Sequence, residues 1–146
     1  MLRQKLYNKS VDVFAAGCIF VELHTGDPVF PGSSETDMLH RISKLLGSVP
    51  ATWKQGYEVA QSIGLTNLPG TLIEPTQEMV IQNLQRLMPQ ATPAALDLIY
   101  LMLSWDPRQR PTCMDALRHP YFSNGVAKNV NRGISMTSNQ SARTTP

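Results

Sequence analysis

Residues 105–111 read WDPRQRP. They interrupt a segment whose apolar residues otherwise recur at helical spacing. Proline fixes φ and removes a backbone donor, so Pro107 and Pro111, flanking charged residues between two helix-like stretches, predict a fixed turn. An arginine held in such a turn is suited to meeting one particular anion through its planar fork of donors. Arg110 is therefore a candidate anchor, with Trp105 at the entrance of the same turn, and the question is where the anion lies.

Helix signals stand on both sides. Upstream, Thr92 reads as an N-cap and Pro93 as the first helical position, followed by Ala94 to Ser104 with Leu96, Ile99, Tyr100 and Leu103 on one face. Downstream, Thr112 reads as the cap of a short helix over Cys113 to Arg118, with Asp115 completing a capping box. Near the start of the chain, Ser10 predicts the cap of a helix over Val11 to Leu23, VDVFAAGCIFVEL, and Gly26 marks its exit. Apolar residues cover nearly every face of that stretch, so it is expected to be a central helix. Asp12 in its first turn has two readings: a carboxylate that favours the helix dipole, or a buried anchor with a partner.

A second amphipathic helix is predicted from Glu35 to Leu46. Ser34 is its cap, Asp37 the third residue of a capping box, and Gly47 its stop. Met38, Leu39, Ile42, Leu45 and Leu46 form the apolar stripe, which leaves Glu35, Arg41 and Lys44 outside as a candidate docking surface. Proline and glycine break residues 48–91 into short pieces, with helices expected near 53–62 and 76–87. No strand pattern of any length occurs, and the fold class is all-α. From Ser123 onward Asn, Ser, Thr and Gly dominate beside Lys128, Arg132 and Arg143, which predicts a disordered basic tail. The expected organisation is one helical domain over 1–122 and a tail over 123–146.

The 146 residues, 42% hydrophobic and 16% charged, have a globular balance. Net charge is only +2 and the 13 Lys and Arg are scattered, so nucleic acid is not an expected partner. The longest near-apolar run, Val11 to Leu23, is too short to span a bilayer, and no membrane association is expected. Cys18 and Cys113 lie in apolar runs and are expected to be small buried hydrophobes in a reducing, intracellular compartment. His24, His40 and His119 share no spacing suited to one metal, so no metal site is predicted.

Three stretches in order, SVDVFAAGCIFVEL, PVFPGSSETDMLHRISKLLG and LIYLMLSWDPRQRPTCMDALRHPYF, resemble the C-terminal lobe of eukaryotic serine/threonine protein kinases. The broken segment between the second helix and Trp105 resembles the insert of the CMGC group. Within that group, residues 53–60, WKQGYEVA, and the tryptophan of WDP are similar to the male germ cell-associated and cyclin-dependent kinase branch. The resemblance implies a truncated kinase C-lobe, with ATP and magnesium as cofactors of the full-length family. It implies cytoplasmic or nuclear residence, and at branch level a link to cilia or flagella. It further implies that Arg110 pairs with the glutamate of an Ala-Pro-Glu motif, and that Asp12 caps the central helix and holds the catalytic loop. Protein substrates or regulators would dock on the second helix and the insert.

The sequence itself contains no G-x-G-x-x-G, V-A-I-K, H-R-D or D-F-G. The nearest fragment, His40-Arg41-Ile42, is expected to be a solvent-facing coincidence. No catalytic, cofactor-binding or metal-binding residue is therefore assigned, and this chain by itself is expected to be inactive. Asp12 and Arg110 are expected to find solvent or each other, and the apolar floor that the missing half normally covers is expected to be exposed.

Overall fold

Helix starts and stops fall close to where the capping residues put them. The computed structural model describes residues 9–67 and 75–123. In chain order it has α1 (Ser10–Thr25), α2 (Glu35–Leu46), α3 (Lys54–Ser62), a 3-10 turn (Leu65–Asn67), α4 (Gln77–Leu87), α5 (Pro93–Met102) and α6 (Cys113–Leu117). Among the described residues there is no strand, and the fold is all-α. Ser34, Thr76, Thr92 and Thr112 cap α2, α4, α5 and α6, each accepting from the backbone N–H three residues on. The tail beyond 123 and the segment around Pro69 and Gly70 lie outside the described residues.

Three details differ from expectation. Lys9 already has helical backbone angles and makes no side-chain cap, so Ser10 is the first residue of α1 instead of its cap. Helix α1 also continues two residues past Leu23, where the ring of His24 donates from Nδ1 to the Phe20 carbonyl at 2.8 Å and the Thr25 hydroxyl donates to Val21 at 3.2 Å. Both are side-chain back-bonds to carbonyls four residues earlier on the same helix. Gly26 then closes it with φ 79°, a left-handed conformation that costs little only without a Cβ. At the other end of the domain α5 stops at Met102, two residues early, because Leu103 and Ser104 turn into the WDP segment.

Helix α1 crosses α5 at Gly17, where an added Cβ would lie 3.0 Å from side-chain atoms of both Met102 and Leu103. Helix α5 in turn packs on α4, and α4 on α2. Val21, Leu84, Leu98, Ile99 and Leu103 are fully enclosed between these helices. Each such side chain contributes about 1.5–3 kcal/mol by leaving water. The buried face of α2 is Leu39, Ile42, Ser43 and Leu46, rotated from the predicted stripe so that Met38 is exposed. Ser43 is tolerated inside because its hydroxyl donates to the Leu39 carbonyl at 2.9 Å.

The rotation also draws His40 inward. It is half-buried, not solvent-facing, and its Nε2 is enclosed without a hydrogen-bond partner among the described residues. Cys113 corrects a further expectation. It is exposed at the first position of α6, while Cys18 is partly buried and burial pushes its thiol up to about 11.

Trp53 lies flat on Gly56, where an added Cβ would fall 2.1–2.3 Å from ring atoms of the indole. Gly56→Ala is therefore expected to destabilise by about 2 kcal/mol, since the buried ring has to move. A urea midpoint equal to that of the parent chain would contradict this packing.

Candidate functional site

The turn 103–111 is built by four side chains, Trp105, Asp106, Arg108 and Arg110, that all bind backbone or near neighbours. Trp105 is 8% exposed, and its indole Nε1–H donates to the Gly47 carbonyl at 3.1 Å, joining the turn to the end of α2. A buried tryptophan usually needs such a partner for its N–H. Asp106 precedes Pro107 and closes an Asx turn: Arg108 donates its backbone N–H to Oδ1 at 2.9 Å, and its guanidinium clamps both oxygens, with Nη2 to Oδ2 at 2.7 Å. A cleft of about 280 Å³ beside Trp105, bordered by Leu46, Pro50, Tyr100 and Asp106, falls just below the usual range of roughly 300–1,000 Å³ for small-molecule sites.

Burial alone would raise the Asp106 carboxyl, but the hydrogen bonds from Arg108 and its charge outweigh that and hold it below the ordinary aspartate value. A folded value below the unfolded one means that the stabilisation is complete above the unfolded value and is lost as pH falls through the folded one. Asp106→Asn is thus expected to be less stable than the parent at neutral pH, and the difference to shrink as pH falls below 3.8. Urea midpoints of the two chains at several pH values check this; a difference that grows in acid would contradict it.

Arg110 finds no carboxylate partner among the described residues. Its Nε donates to the Ser104 carbonyl at 2.7 Å, Nη1 to Ser10 at 2.9 Å and Nη2 to Trp105 at 3.1 Å. The guanidinium carbon also sits 4.8 Å from the centre of the Phe14 ring, a cation–π contact. Phe14 is stacked in turn on Phe30 at 6.5 Å. Burial pulls Arg110 down to about 10, partly offset by the charge of Asp106, and it stays protonated at neutral pH. The arginine therefore ties the turn to the start of α1 through one main-chain oxygen 100 residues away.

Asp12 is not brought to Arg110. It is exposed on the first turn of α1, and its carboxylate has no partner among the described residues. The expectation that the two charges find solvent or each other is thus corrected for Arg110, which finds carbonyls, and met by solvent for Asp12. Sequence reasoning missed Asp106 and Arg108, although aspartate before proline is itself a turn signal.

Glu35, Arg41 and Lys44 are all exposed on α2, with Arg41 bound to Asp37 at 3.1 Å. Helix α1 carries the other open surface: Ile19 and Leu23, four residues apart, are 54% and 77% exposed. Ala15, four residues earlier, is exposed on the same stripe.

The sequence profile of the protein kinase domain family matches residues 1–122. This chain belongs to that family. Rat (Rattus norvegicus) serine/threonine-protein kinase MAK is 39% identical over 126 residues, covering 86% of this chain and 19% of the relative. Rat serine/threonine-protein kinase ICK is 38% identical over the same shares. Cyclin-dependent kinase F-3 of Oryza sativa subsp. japonica is 40% identical over 126 residues, covering 86% of this chain and 27% of the relative. These names place the kinase domain in the CMGC group, on its male germ cell-associated and cyclin-dependent side. The chain spans only about a fifth to a quarter of the length of these relatives. No helix among the described residues is long and apolar enough to cross a membrane.

Proposed function

We propose that this chain is the C-terminal supporting part of a serine/threonine protein kinase, and that alone it neither binds ATP nor transfers phosphate. In the intact enzyme, ATP with magnesium would supply the phosphoryl group. The residues described here would serve as the floor under the reacting parts and as a docking face for protein substrates. The observation that carries this reading is the exposed stripe Ala15, Ile19 and Leu23 on a helix that is apolar all round. A helix of that composition belongs to the interior of a larger body, and here one face of it is open. Glu35, Arg41 and Lys44 on α2, with the insert beside them, are the proposed docking surface for protein substrates or regulators. An intracellular place of work, cytoplasmic or nuclear, goes with the same reading, as does the branch-level suggestion of cilia or flagella.

The test is phosphate transfer from radiolabelled ATP with magnesium to a mixed serine/threonine peptide library. The 146-residue chain is expected to give none and to show no heat of nucleotide binding. A longer polypeptide that carries this sequence behind a complete kinase domain start is expected to label serine and threonine. Transfer by the short chain would overturn its assignment as a supporting part, and an inactive longer polypeptide would count against the kinase reading itself.

A second reading is favoured by the geometry of Arg110. With its donors on carbonyls and Asp12 in water, the lobe leaves no buried charge stranded among the described residues, the situation that would cost about 3–5 kcal/mol. A lobe of that kind can act as a non-catalytic module that docks the substrates or regulators of a kinase. Capture of a protein substrate of the intact enzyme by the chain, lost on charge reversal at Arg41 and Lys44, would support this reading. Absence of binding together with an unfolded circular-dichroism spectrum would eliminate it.

A further inference from the structure

Beyond α6 the last described residues, 120–123, make one more helical turn. What holds it is the ring of His119, whose side chain is 11% exposed. Both ring nitrogens are engaged. Nε2 lies 3.0 Å from Oδ2 of Asp97 on α5, and Nδ1 lies 3.2 Å from the backbone nitrogen of Tyr121. A backbone N–H can only donate, so Nδ1 must be the acceptor. The carboxylate can only accept, so Nε2 must carry the proton. The contacts therefore select the neutral Nε2–H tautomer. In that form His119 does for this turn what serine or aspartate does at other helix starts, accepting from the N–H two residues on.

The capped turn carries two aromatic rings. Tyr121 meets Phe20 of α1 edge-on at 5.7 Å, Phe122 meets the same ring at 6.2 Å, and the two lie 5.0 Å from each other. Together they cover the cluster of Val13, Leu98 and Met102 between α1 and α5. From α5 the charged group facing the imidazole is Asp97. From α6, Asp115 and Arg118 turn to solvent, 59% and 75% exposed, and pair with each other at 4.0 Å. From α1 the faces packed here are Val13, Ala16 and Phe20, none of which titrates.

We propose that His119 is a proton-operated latch, whose neutral ring caps the turn 120–123 and seats Tyr121 and Phe122 on α1, and whose protonation frees that turn. The proton comes from water and goes to Nδ1. It converts the acceptor into a donor that faces the Tyr121 N–H, so that hydrogen bond cannot persist. The Asp97 contact survives and becomes an ion pair. Protonation therefore keeps the ring on α5 and lets the aromatic turn lift from α1. What opens is the apolar patch around Phe20, next to the exposed Ile19 and Leu23.

The test is nitrogen-15 and amide-exchange NMR on the 146-residue chain between pH 8 and 5. At pH 8 the His119 ring is expected to show protonated Nε2 and bare Nδ1. As pH falls, exchange of the Tyr121 amide, corrected for its intrinsic rate, is expected to rise at least tenfold in step with protonation of Nδ1. The Leu103 amide, which donates to Ile99 in the core, is expected to keep its protection. His119→Asn retains an acceptor for the Tyr121 N–H and cannot be protonated, so its Tyr121 amide is expected to stay protected throughout. A proton on Nδ1 at pH 8, acid opening in the asparagine variant, or loss of Leu103 protection together with that of Tyr121 would each overturn the latch.

Discussion

Trp105→Ala is expected to lower folding stability by about 4 kcal/mol, within the range for emptying a buried tryptophan site. The indole is enclosed, and its N–H is the partner of a buried carbonyl at Gly47. Alanine therefore creates a cavity and orphans that oxygen, and each effect costs separately. The loss is a large share of the roughly 5–15 kcal/mol that holds a typical domain together. Trp105→Phe separates the two contributions. It keeps most of the ring and loses the hydrogen bond, so a cost of about 1–2 kcal/mol is expected. Urea unfolding of the three chains, with unchanged slopes, is the measurement. An alanine variant within about 1 kcal/mol of the parent would mean that the turn is not docked on the end of α2.

Arg110→Met is expected to cost about 3 kcal/mol, although no carboxylate is lost. Methionine can keep contact with Phe14, but the carbonyls of Ser104 and Trp105 lose the guanidinium donor, and that of Ser10 is left with only its bond inside α1. Unsatisfied buried acceptors cost about 1–3 kcal/mol each, and partial access of water to this half-buried site moderates the sum. Arg110→Lys is expected to recover less than half of the loss. A single ammonium cannot reproduce the planar set of donors that serves three oxygens in different directions. Thermal and urea unfolding check both variants. If the methionine and lysine variants matched the parent, the link between the WDP turn and the start of α1 would be incidental.

The two substitutions also mark how far the sequence can be read. Helices α2 to α4 were legible almost to the residue because Ser34, the Pro and Gly breaks and the apolar periods act locally. The fixed turn was legible from Pro107 and Pro111 for the same reason. What Arg110 touches was not legible. Its partners are main-chain oxygens, one of them 100 residues away at Ser10, and a carbonyl carries no residue-type signal. The family resemblance pointed to a glutamate instead, and the described residues place none there.

Burial at single positions was likewise only partly visible. The hydrophobic pattern of α1 predicted a central helix but could not say which face remains open, because that depends on what else packs there. Ile19 and Leu23 look no different in the sequence from Val21, which is fully buried. On α2, a face rotated by less than a residue's turn exchanged Met38 for Ser43, since the serine hydroxyl is satisfied by its own helix. Asp106 could have been found. Its place before Pro107, with Arg108 two residues on, is a local turn pattern carried by residue type alone.

All of this rests on the lobe satisfying its own charges and so holding together as it stands. The most direct measurement is far-ultraviolet circular dichroism of the 146-residue chain through a urea titration at neutral pH. The expected result is a strongly helical spectrum that melts in one cooperative transition, shifted to lower urea in Arg110→Met. A weak helical signal that declines without a transition would contradict the account, because it would mean that Arg110 and the α1 stripe need a partner outside this chain before the fold forms.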